Sequence, residues 1–466
     1  MAKSSKETIA LVATLLITAG VAGGGWFLFS KISNSPTSSP SSQPPQGNIA
    51  ARLSNGEKIL IAADTNPNKQ AGVEAIANND FSTATTKLAT SLQDNPNDPE
   101  ALIYLNNAKV GGKNALKIAV SIPIGSNLNV AKEILRGVAQ AQDEVNQSGG
   151  INGSPLKVTI ASDDNDGEIV KQVATEFVKD SSILAVVGHN ASNASLIAAP
   201  IYQSGGLVMV SPTSFANNLS GIGSYIFRTV PNIKVMAILL SQHIIDKERK
   251  AKIAICFDSQ APDNVSFKDE MLAAFLSRGG KFSTISCDFS SPTFNPSAAI
   301  SEAIADGADS MLLAPHIDRL DKALELARDN QGRLALFGSP TLYTFKTLQT
   351  GQLNVNGLVI PAAWHPTAFP GVSYASNASK RWGGDVNWRS ATAYDATQAI
   401  VAGLRQNASR DGLQKTLSNP NFSAIGAGEQ IKFQPSGDRN SAGILIKIIP
   451  GKRSGTGYDF LPIPKS

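Results

Sequence analysis

The chain has 466 residues, 42% of them hydrophobic and 17% charged, with a formal net charge of +4. That length exceeds one simple domain and fits a large bilobed unit with additions. No block of Lys and Arg interleaved with aromatics is present, which excludes the usual nucleic-acid footprint. Two cysteines, Cys256 and Cys287, cannot frame a disulfide-rich fold.

Between Glu7 and Lys31 the chain carries no charge. As a helix, Thr8 to Ser30 is roughly 35 Å long, enough to cross a hydrocarbon core. Lys3 and Lys6 precede it, which keeps the N-terminus cytoplasmic and puts the rest of the chain outside. The run ends in Trp26-Phe27-Leu28-Phe29, a poor exit for signal cleavage. Residues 1–32 therefore read as a cytoplasmic stub and a single-pass signal anchor in the cell (inner) membrane; cleavage after Ala19 or Ala22 is the alternative. Residues 33–56 include the Ser/Pro-rich stretch Ser33 to Asn48, a linker with almost nothing apolar to bury.

Residues 57–112 are helical and periodic. Asp80-Phe81, Ala84, Leu88, Leu92 and Pro96, followed by Asp98-Pro99-Glu100-Ala101-Leu102, resemble a tetratricopeptide (TPR) helix pair plus the first helix of a second repeat. One and a half repeats do not bury their own face, since about three are needed. The segment is expected to pack on its neighbour or on a protein partner; a plain helical spacer is the other reading.

From Leu116 the pattern changes to strands alternating with amphipathic helices. The strands read are Leu116–Ile122, Leu156–Ala161, Ile183–Val187, Leu207–Val210, Lys252–Phe257, Phe282–Cys287, Ser310–Ala314 and Leu334–Phe337. The helices include Ala131–Gln147, Ile169–Lys179, Val265–Arg278 and Asp318–Asn330. The first carries an apolar stripe at Ile134, Leu135, Val138, Ala139 and Val145 and stops at Gly149-Gly150, which supply a left-handed cap. Such alternation implies parallel sheets covered on both faces. Two sets of it imply an α/β protein of two doubly wound lobes joined by a hinge near Thr229-Val230-Pro231. The bilobed ligand-binding domain is set at 113–466. Lobe 1 takes about 113–231 and 363–415, lobe 2 about 232–362 and 416–450.

Several ordered motifs sharpen this. They are Pro123-Ile124-Gly125, the Asn146–Gly153 turn with Gly149-Gly150-Ile151-Asn152-Gly153, Asp163-Asp164, Val186–Ser192, Ser211-Pro212-Thr213-Ser214, Phe227-Arg228-Thr229 and Tyr394-Asp395-Ala396. Together, from about Leu116 to Pro450, they resemble type I periplasmic binding proteins. Within these the likeness is to the branched-chain amino-acid (Leu/Ile/Val) receptors of ABC transporters. The resemblance implies a solute held between the lobes. Asn127, Asn190, Ser192, Ser211, Thr213, Ser214 and Phe215 would contact it from lobe 1, and Ser259, Gln260, His316 and Tyr343 from lobe 2. Ser192 would cap the following helix and, as in the family, bind a carboxylate with backbone amides.

Two departures stand out. Phe215 replaces the threonine that the family uses for the ligand's ammonium, and the loop Gly338–Tyr343 lacks the family's acid. The carboxylate half of an amino-acid site is retained and the ammonium half altered, with Asp258 a possible substitute acid. Asp163-Asp164-Asn165-Asp166-Gly167 fails the calcium-loop register and reads as a polar loop. His189, His243, His316 and His365 show no metal spacing, and no cofactor is expected. Cys256 and Cys287 fall near the ends of neighbouring strands. A disulfide is allowed outside the cytoplasm, but parallel neighbours seldom give the geometry, so free thiols are expected. The functional readings are a solute receptor serving an ABC permease, or a membrane-anchored sensory or assembly module. No acid–base or nucleophile constellation supports an enzyme.

Overall fold

The structure, a computed structural model, describes residues 49–464. The expected membrane anchor and most of the Ser/Pro-rich linker lie outside the described residues. Among the described residues no helix is long and apolar enough to cross a membrane.

Three helices come first: α1 (Pro67–Ala77), α2 (Phe81–Asp94) and α3 (Pro99–Val110). Each is capped by the side chain before it, Asn66, Asp80 or Asp98, which accepts an orphan N–H of the first turn. Lys69 is buried between Asp98 (2.8 Å) and Glu100 (2.7 Å). Glu100 also takes the N–H of Leu60 and the hydroxyl of Tyr104. Nearly all of α3 is buried, because it packs on α4 (Leu128–Gln147), the first helix of lobe 1. The segment thus covers its apolar face with its own chain.

Lobe 1 is a sheet in the order β1-β3-β2-β4-β5-β6. Its strands are β1 (Leu53–Ser54), β2 (Leu116–Ile122), β3 (Leu156–Ser162), β4 (Ile183–Val187), β5 (Val208–Ser211) and β6 (Ile226–Arg228). All pair parallel except β1, which lies antiparallel on the edge of β3. Where β1 runs out, Asn107 continues the edge: its amide donates to Val158 O (2.8 Å) and accepts from Val158 N (3.1 Å). Helices α5 (Gly167–Lys179), α6 (Ser192–Ser204), α13 (Trp388–Gln406) and α14 (Arg410–Leu417) complete the lobe. Gly137 lets α4 and α13 touch, since a Cβ there would sit 2.1 Å from Ser390 O.

Lobe 2 repeats the plan in the order β13-β12-β11-β10-β9-β7-β8. The parallel strands are β7 (Lys252–Phe257), β8 (Lys281–Phe282), β9 (Ser310–Ala314), β10 (Ala335–Gly338) and β11 (Val359–Ala362). The hairpin of β12 (Ile444–Pro450) and β13 (Tyr458–Pro462) adds antiparallel strands beyond β11. Helices α7 (Ile233–Asp246), α8 (Pro262–Leu276), α9 (Pro296–Ala305), α10 (Leu320–Asn330) and α11 (Phe345–Gly351) lie along it, while α12 (Tyr374–Trp382), on the way back to lobe 1, packs there through Arg381 to Asp143, Trp382 to Gln140 and Tyr374 to Tyr394. Buried Arg228 meets Asp438 at 2.5 Å, and Arg439 pairs with Asp395 of the Tyr394-Asp395-Ala396 motif, which ties the returning chain to lobe 1.

Two expectations are corrected. Cys256 and Cys287 form a disulfide, with Cα atoms 4.6 Å apart. The reason is a break in the ladder. The expected strand Phe282–Cys287 ends at Phe282; Ile253 pairs with Phe282, yet Phe257 bridges Asp288, two residues further on than regular pairing allows. The chain bulges between these points, so Cys256 and Cys287 escape the geometry of regular parallel neighbours. The second concerns Ser192. Helix α6 begins at that residue, so the cap position falls on Ala191, which has no polar side chain to cap with, and the Ser192 hydroxyl turns to the next loop.

Candidate functional site

In both lobes the parallel order reverses once, between β2 and β4 and between β7 and β9. Loops leaving the carboxyl ends of strands diverge at such points and leave a crevice. Those of the two lobes face each other across a small cavity of about 40 Å³. Asn190, Ala191 and Ser192 after β4, Thr213 and Phe215 after β5, and Trp388 and Arg389 at the start of α13 line it from lobe 1. Asp263 at the start of α8, His316 and Ile317 after β9, and Thr341 after β10 line it from lobe 2.

The lobe 1 wall is a braced set of short polar side chains. Ser192 Oγ accepts from Phe215 N (3.1 Å) and Ala216 N (3.2 Å). With both bonds accepted, its own proton remains to donate. Thr213 donates to Asn190 O at 2.7 Å. Ser211 and Ser214 sit behind the wall, each bonded to His189 O. His189 is fully buried, with Nδ1 2.6 Å from Asp163 and Nε2 3.0 Å from the Tyr202 hydroxyl. Phe215 packs tilted on Trp388 at 5.6 Å and gives the cavity an aromatic side.

The remaining expected residues lie elsewhere. Asn127 caps α4 through Val130 N. Ser259 bonds Asp288 at 2.6 Å, and Gln260 accepts from Arg319 at 2.8 Å. Asp258 is buried and salt-bridged to Arg319 at 3.0 Å, so its charge is already matched. Tyr343 packs edge-on against Phe460 and lines a separate groove of about 510 Å³ with Glu133, Arg136, His365 and Asp385. Its carbonyl accepts from Trp388 Nε1 at 3.2 Å, a bond between the lobes.

Arg389 and Asp263 were missed by sequence reasoning. Arg389 is only 6% exposed, stacks on the Trp388 ring at 4.4 Å, and its Nε has no hydrogen-bond partner. Burial pulls its guanidinium down to about 10, against the pull of the Glu133 charge. Burial likewise raises the Asp263 carboxyl, with the His316 charge opposing. For His316 burial acts downward, but the Asp318 hydrogen bond and the charges of Asp263, Asp318 and Asp258 outweigh it and raise the imidazole. The signal for Asp263 was available: an acid in the first turn of a helix starting at Pro262, directly after a strand at the switch point. Nothing in the local sequence marks Arg389.

A family model described as periplasmic binding protein matches residues 115–444. An "amino acid binding protein" of Pseudomonas aeruginosa is 27% identical over 135 residues, 29% of this chain and 36% of the relative. "Leu/Ile/Val-binding protein homolog 1" of Brucella abortus is 30% identical over 155 residues, 33% of this chain and 41% of the relative. The chain thus spans well under half the length of these relatives. The crystal structure of a leucine-binding protein from Thermotoga maritima superposes with a TM-score of 0.65 at 17% identity, covering 74% of this chain and 98% of that one. A solute-binding protein of Rhodopseudomonas palustris solved with 3,4-dihydroxybenzoic acid gives 0.64 at 14% identity, covering 75% and 96%.

Proposed function

Because the chain belongs to the periplasmic binding protein family, we propose that it is the extracytoplasmic substrate-binding component of an ABC-type uptake system. It closes its two lobes on a small amino-acid-like or carboxylate solute. It is a binding protein, not an enzyme. The observation that carries the reading is the cavity at the two switch points, with Ser192, Thr213 and Arg389 on one wall and Asp263 and His316 on the other. The relatives named for amino acids and the neighbour solved with an aromatic carboxylate are consistent with such a ligand. Residues 1–32 anchor the protein in the membrane, with the lobes outside; the Cys256–Cys287 disulfide suits that compartment.

Thermal shift of the purified chain against amino acids, small carboxylates, amides and urea tests the reading. At least one compound should raise Tm; a panel that leaves Tm unmoved sinks it.

A second reading, a membrane-anchored sensory or assembly module, is favoured by one feature. The TPR-like segment is fastened to lobe 1 through β1, Asn107 and α3, which suits a fixed platform. Co-purification with a permease supports transport; a signalling partner in its place supports this alternative.

A further inference from the structure

Resting on the solute-binding reading, we infer that Arg389 anchors the ligand's carboxylate and Asp263 accepts its ammonium, so that the cleft takes a compact zwitterion held by one pole on each lobe. Arg389 is the starting point. A buried guanidinium without a paired anion is costly. Its Nε lacks any partner, and no ion pair to it exists among the described residues. Glu133 is the acid that acts on it electrostatically, but that carboxylate is committed to Arg136 (2.8 Å), Ser390 Oγ (2.6 Å) and Asn387 N (3.2 Å).

The surroundings of Arg389 supply further donors. Helix α6 opens onto the cavity without a side-chain cap. Its first-turn N–H groups therefore point where an anion gains most. Ser192 still has its hydroxyl proton to give. An anion between them would meet a guanidinium, a hydroxyl and a helix N-terminus, which is a carboxylate site by its chemistry.

The opposite wall differs. Among the described residues no side chain hydrogen-bonds Asp263; the N–H of Asn264 and the charge of His316 are what face it. Across from Asp263, on lobe 1, Thr213 has spent its proton on Asn190 O and can only accept towards the cavity. Both groups call for a donor, and Asp263 for a charged one. A plain carboxylate would satisfy Arg389 and leave Asp263 with the His316 charge alone, whereas the ammonium of a zwitterion gives it a direct charged donor. The confined space keeps its two charges few bonds apart, as in an α-amino acid.

The test uses the full-length chain and calorimetric titration with L-alanine and L-leucine, their deaminated counterparts propionate and 4-methylpentanoate, isoamylamine, benzoate and acetamide. An amino acid should bind, its deaminated counterpart about ten-fold or more weaker, and isoamylamine not measurably. Arg389→Met should abolish binding yet raise the Tm of the unliganded protein, because it removes an unmatched buried charge; a merely structural arginine would lower it. Arg389→Lys should keep weakened binding, which covers a misfolded methionine variant. Asp263→Asn should bring amino acid and deaminated counterpart to within about two-fold. Arg389→Met binding with wild-type affinity overturns the assignment and leaves the solute reading standing. So does binding of benzoate or acetamide without either amino acid. Silence from every compound overturns both.

Discussion

His189 is held at both ring nitrogens, and the loop that forms the cavity wall hangs from it. Asp163 and Tyr202 are its partners, and its carbonyl receives Ser195, Ser211 and Ser214. Burial raises the Tyr202 hydroxyl well above its ordinary value, so it stays a neutral donor or acceptor. His189→Ala would take one partner from buried Asp163, which keeps Ser121 and Asn165, and the partner of the buried Tyr202 hydroxyl, at a cost of about 2–4 kcal/mol; urea unfolding measures it, and a loss below about 1 kcal/mol contradicts the bracing role. Ser192→Ala removes the acceptor of two buried N–H groups and should cost about 1–3 kcal/mol before any ligand is considered. His365 offers a pH test. Nε2 donates to Phe460 O at 2.9 Å, since a carbonyl can only accept, and Nδ1 accepts from Thr367 N at 3.2 Å. The ring is held neutral, and burial pulls it to about 4 from an ordinary value of 6.5. Between those values the unfolded chain binds the proton and the folded one does not, so stability falls as pH falls from 6.5 to 4, by about 3 kcal/mol at most. His365→Gln should flatten that part of the stability–pH curve; an identical slope in wild type and variant refutes it.

At the scale of elements, two attachments hold the fold's additions. The Lys69–Asp98–Glu100 cluster joins α1 to α3 without access to water. Burial pushes the Asp98 carboxyl upward, with Lys69 opposing. Lys69→Met leaves two buried acids unmatched and should cost about 3–5 kcal/mol, read as a separate early transition in calorimetry; an unchanged profile is the contrary result. The disulfide closes a loop with a sequence separation of 31 within lobe 2. Replacing both cysteines by alanine should cost about 3–4 kcal/mol. These elements also show what sequence could supply. Strand–helix alternation and the Gly149-Gly150 stop were legible because period and backbone sterics act locally; both glycines have positive φ. The disulfide was not legible, since it depends on a two-residue slip between β7 and its neighbour. Ser259 and Gln260 occupy the expected loop but turn to Asp288 and Arg319, while Asp263, in the first turn of α8 just after it, lines the cavity. Loop position is local; the direction of a side chain in a loop follows from its charged neighbours. Arg389 faces the site only because α13 packs on α4, a contact between segments some 250 residues apart in sequence.

Across the whole molecule, the lobes meet through few polar contacts. Trp388 Nε1 and Asn387 reach Tyr343 O on one flank. On the other, the side-chain amide of Asn217 of lobe 1 donates to Glu270 of lobe 2 at 2.8 Å, and its backbone N–H donates to Ser266 Oγ at 3.1 Å. Helices α1 to α3 and β1 belong to lobe 1, so the proposed closure would move lobe 2 against a fixed platform. A hinge of this kind binds with an affinity reduced by the fraction of molecules not closed. Glu270 does not line the cavity, and one half-buried hydrogen bond to a carboxylate contributes about 1 kcal/mol. Glu270→Ala should therefore open the unliganded protein, enlarge its radius of gyration in X-ray scattering, and weaken ligand binding by up to about five-fold without touching the ligand. Saturating ligand should restore the compact wild-type radius. A variant that scatters and binds like wild type would show that the Asn217–Glu270 contact does not govern closure, and would place the latch at Trp388 and Tyr343.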